Sequence, residues 1–300
     1  MQSEAVFRIV EKTIGNSKLI GDLLSPAARQ YLISNSLVRP VKAGSVVCDQ
    51  NLFDATVYMI IDGAAEISTC AHGETMVLGS VQSGELIGEL AALFNIPRIA
   101  TVKLTQDSVM LEIPAEVFQG VLNMGRHARD TLTKRCMHRL IETSLRQVPV
   151  FNNLDNQSFA ELCYLSAVVT VPTNAIIAHE GKTERSMYVV CSGVARVYIT
   201  VDNREIPVTL LRSGDYFGEY SLFTGQARTA SVSAMTDLQL VVLEGEAFAS
   251  FIDYNEQAEH DISDEATRRK IRIDDLRTEQ SAHDIASDRF YEMRQILNQL

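Results

Sequence analysis

Short apolar runs that end at a glycine mark two stretches of the chain. Val57-Tyr58-Met59-Ile60-Ile61 stops at Asp62-Gly63, and Met187-Tyr188-Val189-Val190 stops at Ser192-Gly193. Both runs are rich in β-branched and aromatic residues, as buried strands are. An alternating run follows each, Ala65-Glu66-Ile67-Ser68 and Ala195-Arg196-Val197-Tyr198, then a polar turn at His72-Gly73 or Asp202-Asn203 and a returning strand. Short strands separated by such turns predict a small antiparallel barrel or jelly roll. Residues 1–35, 115–147 and 253–300 read differently, with few glycines and apolar residues at helical intervals. In the middle stretch these are Val117, Val121, Met124, Leu132, Met137, Leu140 and Ile141. Pro149 ends that helix before the next segment begins at Phe151.

The two β-rich stretches are copies of one another. Tyr58 to Gly63 recurs as Tyr188 to Gly193, Gly84-Glu85-Leu86-Ile87-Gly88-Glu89 as Gly214-Asp215-Tyr216-Phe217-Gly218-Glu219, and Arg98-Ile99-Ala100 as Arg228-Thr229-Ala230, always 130 residues apart. A constant offset over so many positions means a duplicated domain with few insertions. The predicted fold is mainly β with helical flanks. Residues 1–122 hold N-terminal helices and a first barrel, 123–150 a helical connector, 151–252 a second barrel, and 253–300 a C-terminal helical segment.

Charge and composition narrow the function. Lys plus Arg total 27 against 38 for Asp plus Glu, a net charge of -11, which argues against general nucleic-acid affinity. No apolar stretch approaches the ~20 residues that span a bilayer, and the N-terminus lacks the basic and apolar regions of a signal peptide. The expectation is a cytoplasmic protein without membrane contact. Cys48, Cys70, Cys136, Cys163 and Cys191 are scattered, without zinc-ligand spacing, and read as buried reduced thiols. No metal site is expected.

Each copy carries the same chemistry at the same spacing. Gly88-Glu89-Leu90-Ala91 precedes Arg98-Ile99-Ala100, and Phe217-Gly218-Glu219-Tyr220-Ser221 precedes Arg228-Thr229-Ala230, with a helix-compatible stretch between. Glycine lets backbone approach a ligand, and a helix start offers unpaired N–H groups to an anion. Arginine makes charge-assisted hydrogen bonds to phosphate oxygens. Glutamate is an acceptor and suits a ribose hydroxyl. Together these residues describe a pocket for a phosphorylated ribose; the bland alternative is that Glu and Arg pair with each other across a loop.

These cassettes resemble the phosphate-binding cassette of the cyclic nucleotide-binding domains in protein kinase A regulatory subunits, catabolite activator proteins and cyclic nucleotide-gated channels. The family pattern is Phe-Gly-Glu-Leu-Ala-Leu, a few variable residues, then Pro-Arg-Ala-Ala or Arg-Thr-Ala. The resemblance covers about residues 20–122 and 151–252. It implies that Glu89 and Glu219 bind a ribose 2′-hydroxyl and that Arg98 and Arg228 bind the cyclic phosphate. It also implies that the N–H groups of Leu90, Ala91, Ala100, Tyr220, Ser221 and Ala230 complete the cradle. Ile87 replaces the family's phenylalanine, which Phe217 keeps, and Tyr220-Ser221 replaces Leu-Ala. Ile99 offers a base no hydrogen bond, whereas the Thr229 hydroxyl suits guanine. The ligand expected is therefore cAMP, with cGMP admitted at the second site.

Other features carry less. The connector's Arg126, Arg129, Lys134, Arg135, Arg139 and Arg146 read as a solvated helix face, and Arg268-Arg269-Lys270 sits among acids. Ile273, Leu276, Phe290, Met293, Leu297 and Leu300 form a broken stripe for homodimer formation or docking. Phe251, Tyr254, Phe290 and Tyr291 are candidates to cap a base. There is no helix-turn-helix pattern after the second barrel, no Arg-Arg-x-Ala or Arg-Arg-x-Ser before the first, and no nucleophile elbow, Walker loop or kinase Asp-Phe-Gly. The expected function is a non-enzymatic cyclic nucleotide receptor that moves its helices and signals to a separate protein effector. A scaffold that has lost its ligand, or a sensor of another phosphorylated ligand such as a cyclic dinucleotide, are the alternatives.

Overall fold

In the computed structural model, residues 4–71, 74–151, 154–245, 248 and 256–280 are described. Contacts divide the chain into two units, Met1–Thr143 and Ser144–Leu300. The first unit's strands are β1 (Leu37–Val41), β2 (Val46–Cys48), β3 (Val57–Asp62), β4 (Ala64–Ala71), β5 (Glu74–Gln82), β6 (Leu86–Ile87), β7 (Thr101–Leu104) and β8 (Ser108–Ile113). They form two antiparallel sheets, ordered β1-β8-β3-β6 and β2-β7-β4-β5. The second unit repeats this with β9 (Ser166–Val171), β10 (Ile176–Ala178), β11 (Ser186–Ser192), β12 (Ala195–Val201), β13 (Arg204–Leu211), β14 (Tyr216–Phe217), β15 (Ser231–Ala234) and β16 (Leu238–Glu244). Its orders are β9-β16-β11-β14 and β10-β15-β12-β13. This is the jelly roll that the alternating runs predict. Even the register repeats: Tyr58 faces Ile87 across one pair of strands, and Tyr188 faces Phe217 across the other.

The inward positions of these strands make the core. Tyr58, Ile60, Val81, Ile87, Val102 and Leu104 pack together in the first unit; Val190, Val197, Ile199, Phe217, Val232 and Leu240 do so in the second. Burying one such side chain contributes roughly 1.5–3 kcal/mol. Asp202 and Asn203 both hold left-handed φ, 49° and 62°, the twist a two-residue hairpin needs between β12 and β13. The equivalent turn at His72-Gly73 lies outside the described residues.

The helices of the first unit are α1 (Glu4–Gly15), α2 (Pro26–Ser34), α3 (Glu89–Phe94) and α4 (Ala115–Asn123), followed by α5 (Arg126–Arg146), within which the chain passes from the first unit to the second. After a 3-10 turn at Pro149–Phe151 come α6 (Asn156–Tyr164), α7 (Glu219–Thr224) and α8 (Glu256–Gln280). The duplication reaches the caps: Ser25 Oγ accepts from Ala28 N at the start of α2, and Asp155 Oδ1 from Gln157 N and Ser158 N at the start of α6. Of the connector's helical residues, Val117, Val121, Leu132, Leu140 and Ile141 are buried, whereas Met124 and Met137 are exposed. Helical period finds the shared face but not how wide its cover is.

Four cysteines are buried and free; Cys70, expected inside, is exposed near the end of β4. Burial pushes the thiols of Cys48, Cys136 and Cys191 up to about 12, so they stay protonated and inert. Among the described residues, no helix is long and apolar enough to cross a membrane, and no group of three or more His, Cys, Asp or Glu side chains is placed to hold a metal ion.

Candidate functional site

Strand β6 leads through Gly88 into α3, and the residues that follow form one wall of a cavity. Gly88, Glu89, Leu90, Ala91, Arg98, Ile99 and Ala100 all line it, together with Ile67, Val81, Ile87 and Val102 from the barrel and Arg139 and Thr143 from α5. The cavity measures about 520 Å³ including its open mouth. Gly88 has φ 82°, and no side chain caps the N-terminus of α3, so its first N–H groups have no capping acceptor.

Arg98 is only 3% exposed. Its Nη1 donates to Gly88 O at 2.9 Å, and its Nη2 donates to Thr56 O at 2.5 Å and to Asp54 Oδ2 at 2.8 Å. Its Nε is buried with no hydrogen-bond partner. Burial opposes ionisation of Asp54, but the Thr56 N–H and Arg98 outweigh it and hold the carboxyl below its usual range. Glu89, 3% exposed, meets Arg139 Nη1 at 2.9 Å through Oε1. Glu and Arg of the cassette therefore do not pair with each other; each has another partner.

The second copy repeats the two carbonyl anchors and changes the carboxylate contact. Arg228, 4% exposed, donates through Nη1 to Gly218 O at 2.8 Å and through Nη2 to Ser186 O at 2.7 Å. Its Nε again lacks a hydrogen bond, with the Glu184 carboxylate 3.7 Å away. Burial pulls the Arg228 pKa below its ordinary value. Glu219, also buried, accepts from Arg269 Nη1 at 3.2 Å; burial nevertheless pushes the Glu219 pKa up. Asp54 and Glu184, Thr56 and Ser186, and Arg139 and Arg269 are each separated by the same 130 residues as the cassettes.

The copies differ at the mouth. In the second unit Ile273 and Leu276 of α8 are buried in the same apolar cluster as Phe217, Ala230, Val232 and Val197. Ile273 holds the place that Thr143 holds in the first copy. Arg277 donates to Thr229 O and Glu180 Oε1, both at 2.7 Å, and Arg269 lies over the Tyr216 ring. Tyr220 turns outward, its hydroxyl on Gln226 Oε1 at 2.7 Å, and Ser221 is buried. The basic faces read as solvated thus include two working cations, Arg139 and Arg269. They are invisible in a charge run, but the repeat offset marks them. Of the candidate caps, Phe251, Tyr254, Phe290 and Tyr291 lie outside the described residues.

Comparison with known proteins identifies the repeated domain. The sequence profile of the cyclic nucleotide-binding domain matches residues 38–124 and 168–255, more than half the chain. A cAMP-dependent protein kinase regulatory subunit of Yarrowia lipolytica is 30% identical over 238 residues, 79% of this chain and 59% of that protein. A cGMP-dependent protein kinase of Caenorhabditis elegans is 24% identical over 275 residues, 87% of this chain and 33% of that protein. The chain thus spans less than two thirds of the length of these relatives. Among solved structures, the regulatory domain of Toxoplasma gondii protein kinase A with cAMP overlays at a TM-score of 0.42 and 21% identity, over 89% of this chain and 99% of that one. With its profile matched twice at the repeat already traced through strands, caps and cassettes, the chain belongs to the cyclic nucleotide-binding domain family and carries that domain in tandem.

Proposed function

We propose that this chain is a non-enzymatic receptor for a cyclic mononucleotide, cAMP first, with cGMP admitted at the second site. The observation that carries the reading is the state of the two cassette arginines. Each is almost fully buried, each is anchored by its Nη atoms on backbone carbonyls, and each keeps a buried Nε that makes no hydrogen bond. Buried polar groups are normally hydrogen-bonded, and a phosphate oxygen would satisfy both orphans. A scaffold that had lost its ligand would have no use for two such donors, since a buried group left unmade costs ~1–3 kcal/mol.

The glutamates fit the same ligand. Arg139 and Arg269 each engage Oε1 of their glutamate, leaving the second carboxylate oxygen for a ribose hydroxyl. Binding at either barrel then ties the cassette to the helix that supplies the arginine, α5 or α8. A ligand shifts these helices only as far as it favours the tied state. The effector is a separate protein, and a protein kinase catalytic subunit is the first class to test, because the relatives are named for kinase regulation.

Calorimetry of the full chain with cAMP and cGMP, beside cyclic dinucleotides and nucleosides, tests the reading. Two events with cAMP are expected, and cGMP is expected to prefer the site with Thr229 over the one with Ile99. No heat from either mononucleotide would overturn the proposal. Hydrogen exchange tests the coupling separately. With cAMP bound, residues 256–280 are expected to gain protection together with 219–230. Protection confined to the cassette would make α8 a passive element.

A further inference from the structure

Behind the first pocket lies a second cleft that the nucleotide reading does not use. It is lined by Ser17, Lys18 and Leu19 from the turn after α1, by Gly84, Glu85 and Leu86 around the start of β6, and by Arg135, His138 and Arg139 of α5. Leu86 and Arg139 also line the nucleotide cavity, so they are a wall common to both spaces. Arg135 fixes the turn against α5: it donates to Lys18 O at 3.3 Å, to Leu19 O at 2.8 Å, and to both carboxylate oxygens of Asp22 at 2.8 Å. The walls are therefore held by the protein itself, as a preformed site requires.

The polar side chains that line it are cationic or donors, with one exception, and of the cations Arg135 is already paired with Asp22. Lys18 is exposed and has no ion pair among the described residues. His138 brings an imidazole N–H donor, with Nδ1 3.7 Å from Glu142. Arg139 spends Nη1 on Glu89, which leaves the rest of its five donors. The exception is Glu85, one of whose carboxylate oxygens accepts from Gln82 N at 2.8 Å. An independent sign of a missing partner comes from Ser17. It is 5% exposed, and its Oγ has no hydrogen-bond partner. A buried hydroxyl on a cleft lined by lysine, histidine and arginine is placed to donate to an anion.

We propose that this cleft is a second ligand site, for a small phosphorylated or polycarboxylate anion, held by Lys18, His138, the Ser17 hydroxyl and the free side of Arg139. Its occupant fixes Arg139 and through it Glu89, which makes the cleft a second input to the first pocket. That consequence rests on the nucleotide reading; the anion site does not.

The test is calorimetric titration of the full chain with inorganic pyrophosphate at constant ionic strength. One saturable event is expected, weakened at least tenfold in K18S/H138A, two surface changes that touch neither cassette. Ser17→Ala is expected to raise the melting temperature without pyrophosphate, by removing the unpaired hydroxyl, and to shrink the further rise that pyrophosphate gives. Persistence of full-affinity binding in K18S/H138A, or heat that only tracks ionic strength, would overturn the proposal. Binding that survives K18S/H138A but is lost in R98A/R228A would place pyrophosphate in the nucleotide pockets, overturning this site while supporting that reading.

Discussion

Replacing Arg98 with alanine is expected to remove the first nucleotide-binding event, and Arg228→Ala the second, while each leaves the other event in place. The phosphate is the only full charge on a cyclic mononucleotide, and the arginine is the one cation buried in each cassette. A hydrogen bond to a charged group is worth ~1.5–3 kcal/mol. Losing the one that the buried Nε would make weakens binding by roughly ten- to a hundredfold at ~1.4 kcal/mol per decade. The alanine variants also strand Gly88 O and Thr56 O, or Gly218 O and Ser186 O, so each must be shown to unfold as a native chain does. Arg98→Lys is the useful companion. It keeps the charge but not the planar fork that reaches two carbonyls and a ligand at once, so intermediate affinity is expected. Unchanged stoichiometry and affinity in R98A/R228A, counted by calorimetry, would remove these residues from the site.

A single methyl group is expected to be nearly as damaging at Gly88. With φ at +82°, a side chain there is strained, and its Cβ would sit 1.8 Å from Arg98 Nη1 and 2.9 Å from Thr56 O. Strain of about 1–3 kcal/mol and overpacking of about 1–3 kcal/mol add to a loss of roughly 2–6 kcal/mol in the first unit. Gly218→Ala meets Arg228 Nη1 at 2.4 Å and Ser186 O at 2.5 Å and is expected to act on the second unit. Gly44 supplies the control. It has the same φ, +82°, but an added Cβ would meet nothing within 4 Å, so Gly44→Ala carries the backbone strain without the collision. Urea unfolding of the three variants separates the two terms. If Gly88→Ala cost no more than Gly44→Ala, the close approach of glycine to arginine would not matter.

The barrels were legible because their signals are local. An alternating run and its turn report which face of a strand is buried, and the cassette keeps glycine, glutamate and arginine close together in sequence. The helices were legible only in part. The period of α5 marks Leu132, Leu140 and Ile141 correctly, yet it cannot tell that Arg139 reaches a glutamate fifty residues earlier. Nor can the stripe on α8 say what covers it: Ile273 and Leu276, read as a dimerising or docking face, are buried against their own barrel. Long-range partners leave no local period. The one trace they leave here is the repeat itself, since Arg139 and Arg269 stand at the same offset as the cassettes.

That shared offset bears on how the chain can be cut. Each barrel's buried glutamate finds its counter-charge on the helix that trails the barrel, so the repeating unit is a barrel plus the following helix. A fragment ending at residue 122 would keep every cassette residue of the first copy and still be incomplete, with Glu89 deprived of Arg139 and of the helix that covers it. The natural cleavage point lies beyond Thr143, where the contacts of the first unit end. Each trailing helix is in this sense part of the pocket it completes, and nothing that pulls on it can leave the pocket untouched.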